Sequence, residues 1–466
     1  METTNGISQE ADAVANHVHP TFREALWVWC RVAMLSFGGP AGQIAVMHRI
    51  LVEEKRWVSE NRFLHALNYC MLLPGPEAQQ LATYIGWLLH RTIGGLVAGV
   101  LFVLPGFISI LALSVLYAGY NDLSLVQGIF YGLKPAVVAV VIEAVLRIGK
   151  RSLKNRIMVL IAGLAFIAIF VFQVPFPLIV LTAGLIGYLG GRVWPETFVV
   201  IKGHATNSNS ASGRHAISDD PGVAFRPSLK RTASVLTVWL FIWFLPIACV
   251  IAFTGLDSVY SQESLFFSKA AVATFGGAYS VLAYIAQEAV STHHWLEPGE
   301  MLDGLGMAET TPGPLIQVVQ FVGFMGAYRN PGSLDPMLAG VIGSVVTTWV
   351  TFTPCFLWIL LGAPYIEHLR GRQTLNAALS TVTAAVVGVI LNLSIWFSLH
   401  TVFATVTETH AFGARLLIPD WATADIAAIV IATGALLALF RFKVGMIPTL
   451  GVSAVAGMIW FIVAGN

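Results

Sequence analysis

Two positively charged residues stand at matching distances before two glycine-rich triplets in apolar sequence. Arg31 lies six residues before Phe37-Gly38-Gly39, and Lys269 lies six residues before Phe275-Gly276-Gly277. A charge inside a bilayer costs roughly 3 kcal/mol or more, so an intramembrane cation usually has a functional role. Either these two cations bind an anion within the membrane, or they reach the interface or pair with a carboxylate.

Glycine and proline interrupt the apolar sequence at four points. Two are the FGG triplets, the first of which continues into Pro40, and two are the PGP triplets Pro74-Gly75-Pro76 and Pro312-Gly313-Pro314. Glycine and proline weaken or break a helix. A helix that begins again after a break presents free N–H groups and the positive end of its dipole, which bind anions. The four breaks therefore indicate an anion site lined by backbone amides.

Side chains that form hydrogen bonds or carry charge cluster around the breaks. Together with the residues of the breaks, the predicted binding set comprises Arg31, Gln43, Glu77, Gln80, Lys134, Lys269, Thr310, Thr311 and Gln317. Carboxyl groups near an anion site can carry a proton or pair with a cation, and the candidates for proton coupling are Glu77, Glu143 and Glu309. Each residue alone also fits ordinary polar packing or a structural ion pair, but their clustering favours binding.

The elements that position these residues are expected to be membrane helices. Of 466 residues, 56% are hydrophobic and 11% are charged, with a mean hydropathy of +0.75. Soluble proteins carry about 25% charged residues. Apolar runs such as 157–173, 233–254 and 444–464 have lengths near the ~20 residues that cross a bilayer. The composition predicts an all-α polytopic membrane protein, with the lipid bilayer as a partner and no role for nucleic acid.

Neither the cysteines nor the N-terminus points to other chemistry. The four cysteines lie in apolar segments without the spacing of metal ligands, so the sequence predicts neither a metal site nor a cofactor. The polar segment 1–23 lacks the basic and apolar regions of a cleaved signal peptide, and we expect a cytoplasmic tail.

The second set of breaks repeats the first at a constant offset of 238 residues. This offset pairs Trp57 with Trp295, Pro74 with Pro312, Gln79 with Gln317 and Arg91 with Arg329. Beyond an insertion near 329–336 the offset becomes 249, which places Pro105 on Pro354. Constant offsets over so many positions indicate a duplicated unit.

The repeat divides the chain into five predicted parts. These are a cytoplasmic tail at 1–23, a first repeat at 24–192, a cytoplasmic linker at 193–231, a linking transmembrane helix at 232–262 and a second repeat at 263–466. The single unpaired span between the repeats inverts the second one. With inverted repeats, the basic loops all lie in the cytoplasm, as the positive-inside rule requires.

Each repeat is expected to hold two interrupted segments followed by four plain transmembrane helices. The interrupted segments are 24–47 and 63–90 in the first repeat, and 265–291 and 301–328 in the second. The loop at 48–62 carries four Lys or Arg residues, and its counterpart at 291–301 carries none. This asymmetry favours re-entrant hairpins that return to their own side, with full but broken spans as the alternative.

Inverted repeats with helices broken near the midplane are typical of secondary transporters. An intramembrane enzyme acting on a lipid phosphate would need paired catalytic carboxylates, an HExxH motif or a Ser/His arrangement, none of which the sequence contains. A purely structural or receptor role leaves the repeated breaks unexplained. The sequence therefore favours a transporter over an enzyme.

The segments SFGGPAGQIAVMHRI, LLPGPEAQQ, TFGGAYSV and ETTPGPLIQ resemble the chromate ion transporter (CHR) family of the long-chain, two-domain type. The resemblance implies a multi-pass inner-membrane protein that exports chromate and confers resistance, with the FGG and PGP residues at the anion. In the second repeat, Ala278 stands at the position that Pro40 occupies after the first FGG triplet. A sulfate or molybdate permease is the alternative, because these oxyanions share shape and charge. The sequence is compatible with both uniport and antiport and with different coupling ions. It is also compatible with a homodimer.

Overall fold

A computed structural model describes residues 19–120, 123–199, 228–275, 277–365, 373–411 and 414–464. Most of the predicted tail at 1–23, most of the predicted linker at 193–231, and Gly276 lie outside these described residues.

Eight helices form the described part of the first half. Its helices are α1 (Phe22–Leu35), α2 (Gly39–His48), α3 (Glu60–Cys70), α4 (Glu77–Tyr120), α5 (Ser124–Ser152), α6 (Arg156–Phe170), α7 (Phe176–Val193) and the short α8 (Pro195–Phe198). A π-helical turn, Arg49–Glu54, extends α2. Non-helical backbone at His90 and Arg91 divides α4. The helix α9 (Leu229–Thr254) then links the halves.

The second half follows the same order of elements. Its helices are α10 (Val259–Ala273), α11 (Ala278–Gln287), α12 (Glu300–Thr310), α13 (Val318–Arg329), α14 (Pro336–Gly362), α15 (Gln373–Val402), α16 (Ile426–Phe440) and α17 (Met446–Ala464). A π-helical turn, Glu288–Thr292, again extends the second helix. Short 3-10 turns occur at Leu315–Gln317, Ala363–Tyr365 and Trp421–Thr423.

Backbone conformations recur at equivalent positions of the two halves. The central glycines of the PGP triplets, Gly75 and Gly313, have φ values of 126° and 120°. Arg56 and His294, which follow the two π-helical turns, have φ values of 54° and 53°. The second half thus repeats the first in local geometry as well as in sequence.

The helix lengths and exposed surfaces confirm an all-α polytopic membrane protein. Among the described residues, seven helices are long and apolar enough to cross a membrane. Two shorter apolar helices, α6 and α16, have 15 residues each. Apart from α4, the helices beside the breaks have 10 to 15 residues, fewer than the ~20 that span a bilayer. Large apolar side chains such as Phe253, which is 88% exposed, face outward as a lipid-facing surface requires.

A small β-hairpin, absent from the predictions made on the sequence, lies between α15 and α16. Strand β1 (Val406–Ala411) pairs antiparallel with β2 (Ala414–Pro419). Arg415 anchors the hairpin to the end of α6, because its backbone N–H donates to Val171 O at 2.7 Å and its Nε donates to Phe170 O at 3.2 Å. The hairpin therefore ties the second half to a helix of the first half.

Candidate functional site

Two reciprocal backbone hydrogen bonds join the four breaks in two pairs. The N–H of Gly75 donates to the carbonyl of Thr274 at 2.7 Å, and the N–H of Gly313 donates to the carbonyl of Ser36 at 2.9 Å. Ser36 and Thr274 precede the FGG triplets at equivalent positions. Each PGP triplet therefore lies against the FGG break of the other half.

Only glycine fits at the centre of each PGP triplet. A Cβ added to Gly75 would lie 2.8 Å from Gln80 Nε2 and 2.9 Å from Cys355 Sγ. A Cβ added to Gly313 would lie 2.9 Å from the Cα of Gly106. Cys355 and Gly106 are equivalent under the repeat, so each triplet packs closely against the proline-containing helix of the other half.

Among the described residues, no side chain caps the helices that follow the FGG triplets. Gly38, with φ of 83°, precedes α2, and Gly277, with φ of 98°, precedes α11. Because neither N-terminus is capped by a side chain, its first N–H groups and the positive end of its dipole are available to an anion.

A carboxylate from the opposite half lies beside each of these N-termini. Glu309 Oε2 is 3.8 Å from the position that a Cβ would take on Gly39, and Glu77 Oε1 is 3.8 Å from the corresponding position on Gly277. Glu309 also accepts a hydrogen bond from the hydroxyl of Tyr279. The dipoles of α2 and α11 favour the ionised forms of these two carboxyl groups.

The predicted glutamines hydrogen-bond to the breaks or to one another. Gln43 Nε2 donates to Gly313 O at 2.5 Å, and Gln80 Nε2 donates to Pro74 O at 2.7 Å. Gln317 Nε2 donates to Gln320 Oε1 at 2.5 Å. Gln43 and Gln80 therefore satisfy carbonyl groups that a helix would otherwise pair.

The remaining residues of the breaks differ in burial. Pro76, Gly313 and Pro314 are buried, whereas these predicted residues are half-buried: Phe37, Gly38, Pro40, Pro74, Phe275, Gly277, Thr310, Thr311 and Pro312. The hydroxyl of Thr310 donates to Gly306 O at 2.8 Å within its own helix. The breaks are thus partly open to their surroundings and are not sealed in the core.

Sequence comparison assigns the chain to a family. A family model described as "Chromate transporter" matches residues 23–188 and also residues 262–458. The chain belongs to the chromate transporter family. The two matched regions correspond closely to the two halves that share an order of elements, which agrees with the internal duplication.

Curated relatives cover most of this chromate transporter family member. A chromate transport protein of Pseudomonas aeruginosa is 30% identical over 82% of the chain and 83% of its own length. A chromate transport protein of Cupriavidus metallidurans is 28% identical over 80% of the chain and 82% of its own length. A probable chromate transport protein of Synechococcus elongatus is 26% identical over 87% of the chain and 92% of its own length. No solved structure matches.

In this family member, the three predicted cations have other surroundings. Arg31 pairs with Glu54 at 2.7 Å, and the two side chains are 49% and 36% exposed. Lys134 pairs with Asp303 at 3.2 Å, and Lys269 is exposed on α10. Arg31 and Lys134 therefore have carboxylate partners, and the contacts of the described residues place none of the three at the breaks.

An ionic network that sequence analysis missed joins the halves away from the breaks. Asp303 on α12 accepts from the Tyr117 hydroxyl at 2.9 Å in addition to its pair with Lys134. Three residues earlier, Glu300 receives two 2.8 Å hydrogen bonds from Arg329. The signal in the sequence was the pair of acidic residues in the otherwise apolar stretch EMLDGLGMA.

The third proton-coupling candidate, Glu143, pairs with Arg147 at 3.5 Å.

The two halves of this transporter-family chain differ in how tightly their short helices are packed. All residues of α12 from Glu300 to Glu309 are buried, and α12 packs along α5. The equivalent α3 buries only Phe63, Ala66, Tyr69 and Cys70, and within the described residues it has no packing of comparable extent on α15. Similarly, α11 packs on α15, whereas Ala41 and Ala45 of α2 are exposed. The side of the molecule formed by α2 and α3 is the more open one.

Proposed function

We propose that this protein exports chromate, a tetrahedral oxyanion, from the cytoplasm across the inner membrane and thereby confers chromate resistance. The relatives named as chromate transport proteins support the substrate. In this proposal the two halves have inverted topology, and the N-terminus and the linker lie in the cytoplasm.

The reciprocal bonds from Gly75 to Thr274 and from Gly313 to Ser36 carry the proposal. They hold each PGP triplet against the FGG break of the other half, where the short helices α2 and α11 begin. Non-helical backbone at membrane depth is tolerated where it is buried in protein or lines a water-filled cavity. A pair of uncapped N-termini contributed by two repeats is the arrangement that transporters use for anionic substrates.

We propose that Glu77 and Glu309 stand in for the anion when the site is empty. Both carboxylates lie beside the N-termini that would bind the oxyanion's oxygens. Because chromate is a dianion, it and an ionised carboxylate repel each other at these positions. Chromate therefore binds as the carboxylates turn away or take up protons, and the amides then donate to the oxyanion.

Export of a dianion is aided by the membrane potential. Moving one charge through 100 mV is worth about 2.3 kcal/mol, so a dianion leaving a negative interior gains about 4–5 kcal/mol. We propose that the more open side, formed by α2 and α3, faces the cytoplasm. The basic loop at 48–62 supports this orientation, because positively charged loops remain in the cytoplasm.

A sulfate or molybdate permease is the alternative within this class. Backbone amides recognise the oxygens and charge of a tetrahedral anion and contact its central atom only weakly. The site geometry therefore accommodates all three ions, and the names of the relatives favour chromate.

Labelled chromate flux tests the proposed function in membrane vesicles of both orientations. We expect inverted vesicles to accumulate chromate when the interior is positive, and right-side-out vesicles with a negative interior to release it. Unlabelled chromate should compete more strongly than sulfate or molybdate at equal concentration. Flux that is absent in both orientations, or inhibited more strongly by sulfate, contradicts chromate export.

A further inference from the structure

Glu263 on α10 is a fully buried carboxyl with no partner among the described residues. Its relative exposure is 0%, and neither carboxyl oxygen accepts a hydrogen bond. An ionised carboxylate without a partner in an apolar interior is far too costly to persist, so such a group binds a proton or another ligand. Neither the anion site nor the ionic network uses this residue.

Two glycines provide the space for this carboxyl. A Cβ added to Gly326 of α13 would lie 2.8 Å from Glu263 Oε1, and one added to Gly343 of α14 would lie 3.1 Å from Oε2. Both distances are shorter than an ordinary van der Waals contact. The carboxyl therefore occupies a junction of three helices that admits it because both facing positions lack side chains.

No charged group in the described residues faces Glu263 at this junction. On its own helix the nearest titratable group is Tyr260, whose hydroxyl is also unpartnered, and α14 contributes the unpartnered hydroxyl of Thr347. On α13 the cation Arg329 is bound to Glu300. A countercharge therefore does not stabilise the ionised form of Glu263.

The two other helices packed against α10 present no charge to this carboxyl either. From α9, Trp243 donates to Ser268, and from α11, the ring of Tyr284 packs on Phe266. Neither group donates to Glu263. The surroundings of the carboxyl on every packed helix are thus uncharged.

Each of the three helices at the junction leads to a break. Helix α10 ends beside Thr274, which accepts the N–H of Gly75. Helix α13 follows the second PGP triplet, and α14 carries Cys355, which packs against Gly75. A change in the charge of Glu263 therefore acts on helices that hold the proposed anion site.

We propose that Glu263 is a proton-binding site of the transport cycle that lies outside the anion site, an inference that rests on the proposed transport function. A proton from one side of the membrane binds the carboxylate, and the neutral acid allows α10, α13 and α14 to close. When the junction opens toward the other side, water solvates the carboxylate and the proton dissociates there.

The chemistry of the junction favours a proton over a metal ion. A metal cation needs several ligands around it, and the described residues contain no group of three or more His, Cys, Asp or Glu side chains that could hold one. Of the other carboxylates considered for protons, Glu143 pairs with Arg147 and Glu309 accepts from Tyr279, whereas Glu77 lies beside Gly277 at the anion site. Among the described residues, Glu263 has no such partner.

The test compares two modes of transport in vesicles containing the purified full chain. Counterflow of labelled chromate at equal pH on both sides of the membrane requires only the anion site. Accumulation of chromate driven by a pH gradient requires proton coupling as well. One proton exchanged per anion supports an about tenfold concentration ratio for each pH unit. We expect wild-type protein to show this ratio. Glu263→Gln should retain counterflow but lose gradient-driven accumulation, and Glu263→Asp should restore it in part.

Glu196→Gln, at an exposed carboxyl on α8, is the matched control and should behave as wild type. The proposal is overturned if Glu263→Gln accumulates chromate as wild type does. It is also overturned if the wild-type protein shows counterflow but does not accumulate chromate when a pH gradient is applied. Absence of wild-type counterflow with any oxyanion rejects the proposed function instead.

Infrared difference spectra across pH decide the question if Glu263→Gln does not fold or if no oxyanion is transported. A protonated-carboxyl band that shifts between wild type and Glu263→Asp supports a proton on this residue. Identical spectra of wild type and Glu263→Asp overturn the proposal.

Discussion

Gly75 and Thr274 are joined by a 2.7 Å backbone hydrogen bond that connects the two halves of the protein. The bond from Gly313 to Ser36, at 2.9 Å, repeats this relationship with the halves exchanged. An N–H group within an apolar segment has no water to pair with in lipid. Because each half supplies the acceptor that the other half lacks, the breaks of one half are satisfied only when both halves are assembled.

Replacing Gly75 by alanine tests how tightly this junction is fixed. The φ of 126° is strained for any residue with a side chain, and the added Cβ would meet Gln80 and Cys355 at 2.8 and 2.9 Å. Strain of this kind costs about 1–3 kcal/mol before any clash is counted. We expect Gly75→Ala to lower the Tm of the purified protein and to abolish chromate flux.

Gly163→Ala is the matched control, because a Cβ at Gly163 meets no atom within 4 Å. In a helix interior this change is expected to stabilise the protein by up to about 1 kcal/mol. If Gly75→Ala has the same Tm and flux as Gly163→Ala, the close packing of the PGP triplet is not required.

The ion pair between Lys134 and Asp303 should contribute more to stability than the pair between Arg31 and Glu54. Asp303 is 1% exposed, so removal of its cation leaves a buried charge without compensation. Breaking a fully buried pair costs about 3–5 kcal/mol, and an exposed pair contributes about 0.2–1 kcal/mol. Because Lys134 is 33% exposed, the cost of breaking its pair with Asp303 is expected to lie between these values. We expect Lys134→Met to destabilise the protein strongly and Arg31→Met to have a small effect in chemical unfolding.

The double substitution Lys134→Met with Asp303→Leu separates the charge from the packing. It should recover most of the stability lost in Lys134→Met, since no charge is then left unpaired. Equal losses of unfolding free energy in Lys134→Met and Arg31→Met would show that the burial of Asp303 does not make its ion pair more stabilising than the exposed pair.

Fold class and helix breaks were predictable because their signals are local. Apolar runs of sufficient length specify membrane helices. Glycine and proline interrupt them at the FGG and PGP triplets, as at Gly38, Gly75 and Gly313, although single prolines such as Pro135 and Pro246 lie inside helices. That the four breaks form an anion site was a weaker prediction, since it depended on free N–H groups after each break and on the clustering of polar side chains around them.

The surroundings of the cations were not predictable, because their partners are distant in sequence. Arg31 finds Glu54 across 23 residues, and Lys134 on the first half finds Asp303 on the second. Hydropathy shows that a charge lies in an apolar segment but not which face of the helix carries it. Binding of an anion by Arg31, Lys134 or Lys269 stays a prediction that flux measurements on alanine variants would test.

Glu309→Gln should tighten oxyanion binding. Glu309 lies beside Gly39 at the start of α2 and competes there with a bound anion. Replacing one unit of negative charge by a neutral amide of equal size removes that repulsion. A gain of 1.4 kcal/mol corresponds to an about tenfold lower Kd, which calorimetric titration with chromate measures.

Glu196→Gln provides the control for Glu309→Gln, since it removes one negative charge from an exposed position. Weaker binding by Glu309→Gln than by this control would mean that the carboxylate supports the anion and does not compete with it.

Cysteine cross-linking tests whether the open side closes during transport. Ala283 of α11 and Asn392 of α15 line the same small cavity on the closed side. Under the repeat, their counterparts are Ala45 of α2 and Glu143 of α5, on the side where α2 is exposed.

In a background with the native cysteines replaced, Ala283→Cys with Asn392→Cys should cross-link without substrate. Ala45→Cys with Glu143→Cys should cross-link only when chromate and a membrane potential drive turnover. The proposed inverted arrangement of the halves predicts this exchange, so constant cross-linking of both pairs with and without turnover would contradict it.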